Sequence, residues 1–210
     1  VIARALRRPA LTTIAAGVCL LSACAHRRPM TVGVAFETRW RFGGHVLVDD
    51  DRAVVVRATF DTLRRAYDGF GVVFAESSTG PRHITVEDDP DRTNPVDRVS
   101  AGAAGVTYPM SLASSVRIDA LYRAEMAAAG CDSLDRCAKT RAELLEGLGH
   151  GVGATAAHEL GHQVGLEFSM HAPCDDCYDG PSATSAAHFF APMHWSPGAA
   201  AVMRRVLTPK

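Results

Sequence analysis

The chain has 210 residues, 47% of them apolar, and a formal charge of -1 at neutral pH, which suffices for one domain with a real core. So even a balance excludes a disordered chain and gives no basis for nucleic-acid binding. Any specific chemistry must therefore sit in local motifs.

In chain order, Arg4, Arg7 and Arg8 precede an apolar run over 10–21, and the segment closes on LSAC, Leu21 to Cys24. A basic start, a short apolar stretch and a small-residue boundary predict a secretory signal rather than folded structure. The run is shorter than the roughly 20 residues a spanning helix needs. It resembles a bacterial lipoprotein signal, which implies cleavage before Cys24, a lipid on that cysteine and a membrane anchor through it. Ala25 in the next position, rather than aspartate, resembles outer-membrane sorting in the cell envelope. On this reading residues 1–23 are signal, 24–30 a lipidated tether and 31–210 a single domain. Removing the signal leaves 187 residues and takes the formal charge from -1 to -4. Cys19 leaves with it. The other four cysteines pair closely in sequence, Cys131 with Cys137 and Cys174 with Cys177, and in an oxidising compartment predict two local disulfides. A metal site on Cys174 and Cys177 is the alternative for the second pair.

Residues 31–36 and 45–48 have the β-branched content of short strands. Asp49, Asp50 and Asp51 are expected to cap a helix over 53–67, whose Val56, Phe60, Leu63 and Tyr67 form one apolar stripe. Strands follow at 72–75 and 83–86, with His83 a strand residue. The acidic stretch from Glu87 to Asp97 reads as a solvated loop, since it lacks the ordered spacing of a calcium loop. Ser114 to Asp119 alternates polar and apolar positions, as a half-exposed edge strand does, and could pair with an extended peptide. A helix is expected over 131–148 from near Asp132 or Ser133. The glycines at 147, 149, 151 and 153 are expected to interrupt it, with a second helix beginning after them and His150 structural. Residues 196–207 read as a closing helix started by Ser-Pro and carrying Val202, Met203 and Val206.

The informative stretch is HELGHQVGLEFSMH, residues 158–171. Positions four apart on a helix share a face, so His158 and His162 converge on one metal ion. Glu159 is then better placed to take a proton from water at that metal than to ligate. Gly165 can adopt the left-handed conformation that turns the chain back, and His171 is the expected third ligand. Imidazole ligands suit zinc, as they do other transition ions.

The order of these elements, with HELGHQVG (His158 to Gly165) and PMHW (Pro192 to Trp195), resembles the metzincin superfamily of zinc endopeptidases. The resemblance implies an α+β domain with a small, mostly parallel twisted sheet, an edge strand, a backing helix, an active-site helix and a C-terminal helix. It also implies a methionine turn with Met193 below the metal. Two residues depart from the pattern. Phe168 stands at the family's third-ligand position and cannot bind zinc, so His171 is favoured over His188, Asp175 or Asp176. Trp195 stands where some members carry a tyrosine, and its N–H can donate but not ligate. The expected activity is hydrolysis of internal bonds in a peptide or protein substrate, with Glu159 as general base. The alternative is a zinc-containing lipoprotein without catalysis that binds a peptide or an envelope partner. Oligomeric state has no sequence signal.

Overall fold

Val32 and Val34 are fully buried, and the strand that carries them has neighbours on both sides. The structure is a computed structural model that describes residues 28–38, 40–42, 45–88, 104–107, 112–181 and 183–208. The expected signal, Cys24 and the loop from 89 to 97 lie outside those residues. The strands are β1 (Met30–Phe36), β2 (Arg41–Phe42), β3 (His45–Val46), β4 (Val72–Glu76), β5 (His83–Glu87), β6 (Gly105–Thr107) and β7 (Ala113–Arg117). The helices are α1 (Asp49–Ala66), α2 (Ile118–Ala129), α3 (Arg141–Gln163), α4 (Ala186–Phe190) and α5 (Pro197–Leu207). The fold is α+β: a five-stranded sheet in the order β4, β1, β5, β7, β6, with flanking helices and a separate β2–β3 hairpin. β1 runs parallel to β4 and β5, and β5 to β7, whereas β6 is antiparallel to β7. None of the described helices is long and apolar enough to cross a membrane.

Three expectations are corrected. Ser114 to Asp119 is not an edge strand: β7 pairs on both sides, Ser114, Ser115 and Val116 are buried, and Ile118 and Asp119 already belong to α2. The polar alternation misled because both serines are buried, and Ser114 hydrogen-bonds to Thr107 and Gln163 instead of facing water. Among the described strands the two edges of the sheet are β4 and β6, and β6 is the one beside β7.

The second correction concerns α3, which begins at Arg141, ten residues after Cys131. Its start is a capping box: the Thr140 hydroxyl accepts from Glu143 N–H, and the Glu143 carboxylate accepts from Thr140 N–H at 2.7 Å. Residues between α2 and α3 form turns closed by the Cys131–Cys137 disulfide. α3 then runs unbroken for 23 residues through all the glycines. A Cβ on Gly149 would stand 2.6 Å from both the Val55 carbonyl and the Ala58 Cβ, and one on Gly153 would stand 2.8 Å from the Thr59 carbonyl. Gly147 and Gly151 leave the same room for Phe190 and Phe189 of α4. The glycines are contact surfaces, so burial outweighs their low helix propensity.

Third, α1 begins at Asp49 rather than at residue 53, so the aspartates form its first turn instead of preceding it, and their charge suits the helix dipole. Val48 is the N-cap, and the Asp51 carboxylate reaches back to its backbone N–H. Asp51 also accepts two bonds from Arg141, at 2.7 and 3.2 Å, tying the first turn of α1 to that of α3. Val206 of α5 is exposed, while Val202 and Met203 are buried.

Two outcomes follow from this packing. Gly149→Ala should destabilise the chain by about 1–3 kcal/mol in urea denaturation, although the same change in a free helix is stabilising. Glu125 of α2 is fully buried, which pushes its carboxyl up to about 9, partly offset by the backbone of Leu148 and the Lys139 charge. The folded protein then keeps a proton that the unfolded chain sheds above its ordinary value of 4.5, so this group's stability is lost as pH rises toward 9. Glu125→Gln should accordingly raise the thermal midpoint more at pH 8 than at pH 5.

Candidate metal centre

The C-terminal end of α3 builds the centre. Gly165 lies at φ +105°, and the helix closes with Leu166 N–H on the Gly161 carbonyl and Gly165 N–H on the His162 carbonyl. This is a Schellman ending, which a residue with a Cβ resists at the Gly165 position. It also brings the Leu166 carbonyl to 2.7 Å from His162 Nδ1. One turn earlier, His158 Nδ1 lies 2.8 Å from the Tyr178 carbonyl. A carbonyl only accepts, so both rings carry their proton on Nδ1.

With its proton on Nδ1, each ring can present an Nε2 lone pair to the other. The two Nε2 atoms stand 3.0 Å apart, and His171 Nε2 lies 3.4 Å from that of His162. Such a contact cannot be a hydrogen bond between neutral imidazoles; it is a pair of facing acceptors that a cation between them would satisfy. Tetrahedral coordination at the usual zinc–nitrogen length places ligand nitrogens about 3.3 Å apart. The three part-buried histidines can thus coordinate a metal ion. His158 is held neutral, its pKa pushed down to about 4 by burial and then by His162.

His171 reaches the centre by a short route. Phe168–Met170 form a single 3₁₀ turn, in which residues three apart eclipse. Position 171 therefore falls on the side that position 168 occupies. Phe168, 75% exposed, stacks on His162 at 4.6 Å between ring centroids and meets His171 edge-on at 5.4 Å.

The Tyr178 carbonyl is itself fixed. Tyr178 N–H donates to the His194 carbonyl, and Cys177 is tied to Cys174 by a disulfide. Next to it, buried Asp179 accepts from the N–H and hydroxyl of Ser196, which in turn caps α5. The Cys174 and Cys177 sulfurs are thus joined to each other.

Glu159 is 6% exposed and lines the same cavity of about 330 Å³ as Ala104, Gly105, Thr155, His158, Phe168 and His171. Burial pushes its carboxyl up to about 7 against the opposing bond from Thr107. The Thr107 hydroxyl lies 2.5 Å from the Glu159 carboxylate and 2.9 Å from its carbonyl. This contact of β6 with α3 had no sequence signal, and neither did the two carbonyls. The capping box at 140–143 was readable.

Of the remaining expected residues, His188 also lines this cavity but is not one of the three converging histidines. His188 is buried, with Nε2 3.0 Å from both the Thr155 hydroxyl and the Gly151 carbonyl. Asp176 faces His194, and the Asp175 carbonyl accepts from Ser185. Met193 borders a second cavity, of about 420 Å³, with Tyr178, His188 and Phe189. Trp195 donates to the Ala66 carbonyl and packs on Tyr67 and Tyr178, so its N–H is committed to holding α5 on α1. No family model matches the chain, and no curated protein matches it.

His171→Ala should weaken zinc binding by more than the roughly 10- to 100-fold that loss of a supporting hydrogen bond costs. Phe168→Ala should leave affinity within about threefold, by the same principle that an uncoordinated neighbour matters less. Competition against a chromophoric chelator reads both.

Proposed function

We propose that the chain is a zinc-dependent endopeptidase, carried in a bacterial cell envelope on a lipid at Cys24. The supporting observation is one juxtaposition: ligand nitrogens of three histidines converge within 4.8 Å of one another, and two of these histidines, His158 and His171, line a cavity that the buried Glu159 also lines. A binding module needs no such carboxylate. The metzincin-like HELGHQVG and PMHW segments favour peptide hydrolysis among the reactions that this donor set serves.

His158, His162 and His171 are the residues that would hold zinc. Zinc so held supplies a Lewis acid that brings the pKa of a water down to about 7 and polarises the scissile carbonyl. Glu159 accepts the proton of the attacking water and delivers it to the leaving amine nitrogen, so one water is consumed and two termini are released. The substrate lies extended beside β6, the last strand of the sheet, because Ala104 and Gly105 border the cavity and β7 is paired on both sides. Gly105 leaves the base its space: a Cβ there would stand 2.6 Å from Glu159 Oε1. Met193, which lines a neighbouring cavity with Tyr178 and His188, is assigned the supporting role that its place in PMHW implies.

The test is incubation of the zinc-loaded chain with a mixed library of unstructured peptides, with new termini identified by mass spectrometry. Cleavage should fall by roughly 10²- to 10⁴-fold in Glu159→Gln, as loss of a general base requires, while zinc content stays the same. Equal cleavage by Glu159→Gln would overturn the mechanism. A folded, zinc-loaded chain that cleaves nothing would instead indicate the peptide-binding lipoprotein.

A further inference from the structure

Thr107, Ser114 and Gln163 form a hydrogen-bonded line that ends on Glu159, and its direction is fixed by chemistry. The His83 carbonyl lies 3.2 Å from the Gln163 side-chain nitrogen and can only accept, so Nε2 and not Oε1 points that way. That nitrogen also donates to the Ser114 hydroxyl at 2.8 Å. At the other end the ionised Glu159 carboxylate can only accept, and it takes the one proton of the Thr107 hydroxyl. Of the two hydroxyls 2.7 Å apart, Ser114 is then the one left to donate, giving its proton to the Thr107 oxygen. The amide at one end and the carboxylate at the other together orient both hydroxyls between them.

We infer that Thr107 is a positioning residue for the base, aimed by Ser114 and Gln163, and holds one Glu159 oxygen so that the other stays available to the reacting water. The line crosses three elements: Gln163 ends α3, Ser114 lies on β7 and Thr107 on β6. It therefore sets the base against the strand beside which the substrate lies. A charge-assisted bond from a hydroxyl whose rotor is already fixed orders the carboxylate without further entropy loss on binding. The inference rests on the endopeptidase reading, since a carboxylate with no proton to move needs no such aim.

The full chain is assayed with a peptide selected from the library, beside Thr107→Val, Thr107→Ser, Ser114→Ala and Glu159→Gln. Thr107→Val should lower kcat by roughly 10- to 100-fold with KM within about threefold, and Thr107→Ser should restore kcat. Ser114→Ala, one link removed, should lower kcat less. Zinc affinity should not move in any of the three Thr107 and Ser114 variants. Full kcat in Thr107→Val, or a Thr107→Ser variant as slow as Thr107→Val, would overturn the inference while leaving the endopeptidase reading intact. A parent chain that cleaves nothing overturns that reading and the positioning role together. The contact itself is read separately, by a urea double-mutant cycle of Thr107→Val with Glu159→Gln: non-additive midpoints support the bond, and additive ones overturn it.

Discussion

Two backbone carbonyls, those of Leu166 and Tyr178, decide which nitrogen each helix histidine turns toward its neighbour, and the rest of the centre depends on that choice. Neither acceptor is a side chain, so neither could drift away by substitution alone. Each is held by structure with another purpose. Leu166 is where it is because Gly165 closes α3 in a left-handed turn. Tyr178 is where it is because the Cys174–Cys177 disulfide lies on one side and the Asp179–Ser196 bonds on the other. The end of one helix and the start of another thus converge on a pair of imidazoles. Their Nε2 atoms stand 3.0 Å apart, an arrangement that folding must impose by fixing both rings at once.

That imposition requires a stiff support, and the glycines of α3 supply it. A glycine inside a helix costs roughly 0.5–1 kcal/mol relative to alanine, so four alternating ones need a compensating contact. Here α1 approaches until the Val55 and Thr59 carbonyls occupy the space of missing Cβ atoms. Thr59 donates to the Val55 and Gly149 carbonyls, and Tyr67 donates to the Ala157 carbonyl one residue before the first histidine. Trp195 closes the far side on Ala66. The histidine-bearing turn is clamped between α1 and α5, and a helix so held can present two ligands without relaxing them apart.

Much of this was legible in the residues, and what was not has a common cause. The four-residue spacing of His158 and His162, the turn at Gly165 and the two close cysteine pairs are local patterns, and local patterns survive folding. The strands at 30–36, 72–76 and 83–87 were likewise readable from β-branched runs. The glycines of α3 misled because helix propensity is a property of an isolated chain, and here a neighbouring helix fills the space they leave. Ser114 and Ser115 misled because a polar strand residue normally marks solvent, whereas Ser114 is spent on Thr107 and Gln163. Backbone carbonyls leave no trace in sequence at all. The Thr107 contact with Glu159 spans 52 positions and had nothing local to announce it.

His171, the residue that would be the third ligand, shows how a departure from a spacing can preserve a geometry. With phenylalanine at position 168, the next histidine stands three residues later. A 3₁₀ turn has three residues per revolution, so an added segment of that length returns the chain to the same azimuth about 6 Å further along. One or two added residues would rotate the ligand by roughly a third of a turn each, away from His158 and His162. The displaced position is not wasted: Phe168 stacks on His162 and shields that face of the ring, while His171 brings its Nε2 to 3.4 Å from that of His162. Length and turn type are therefore coupled, and a three-residue extension is the shortest that keeps a ligand facing the same centre.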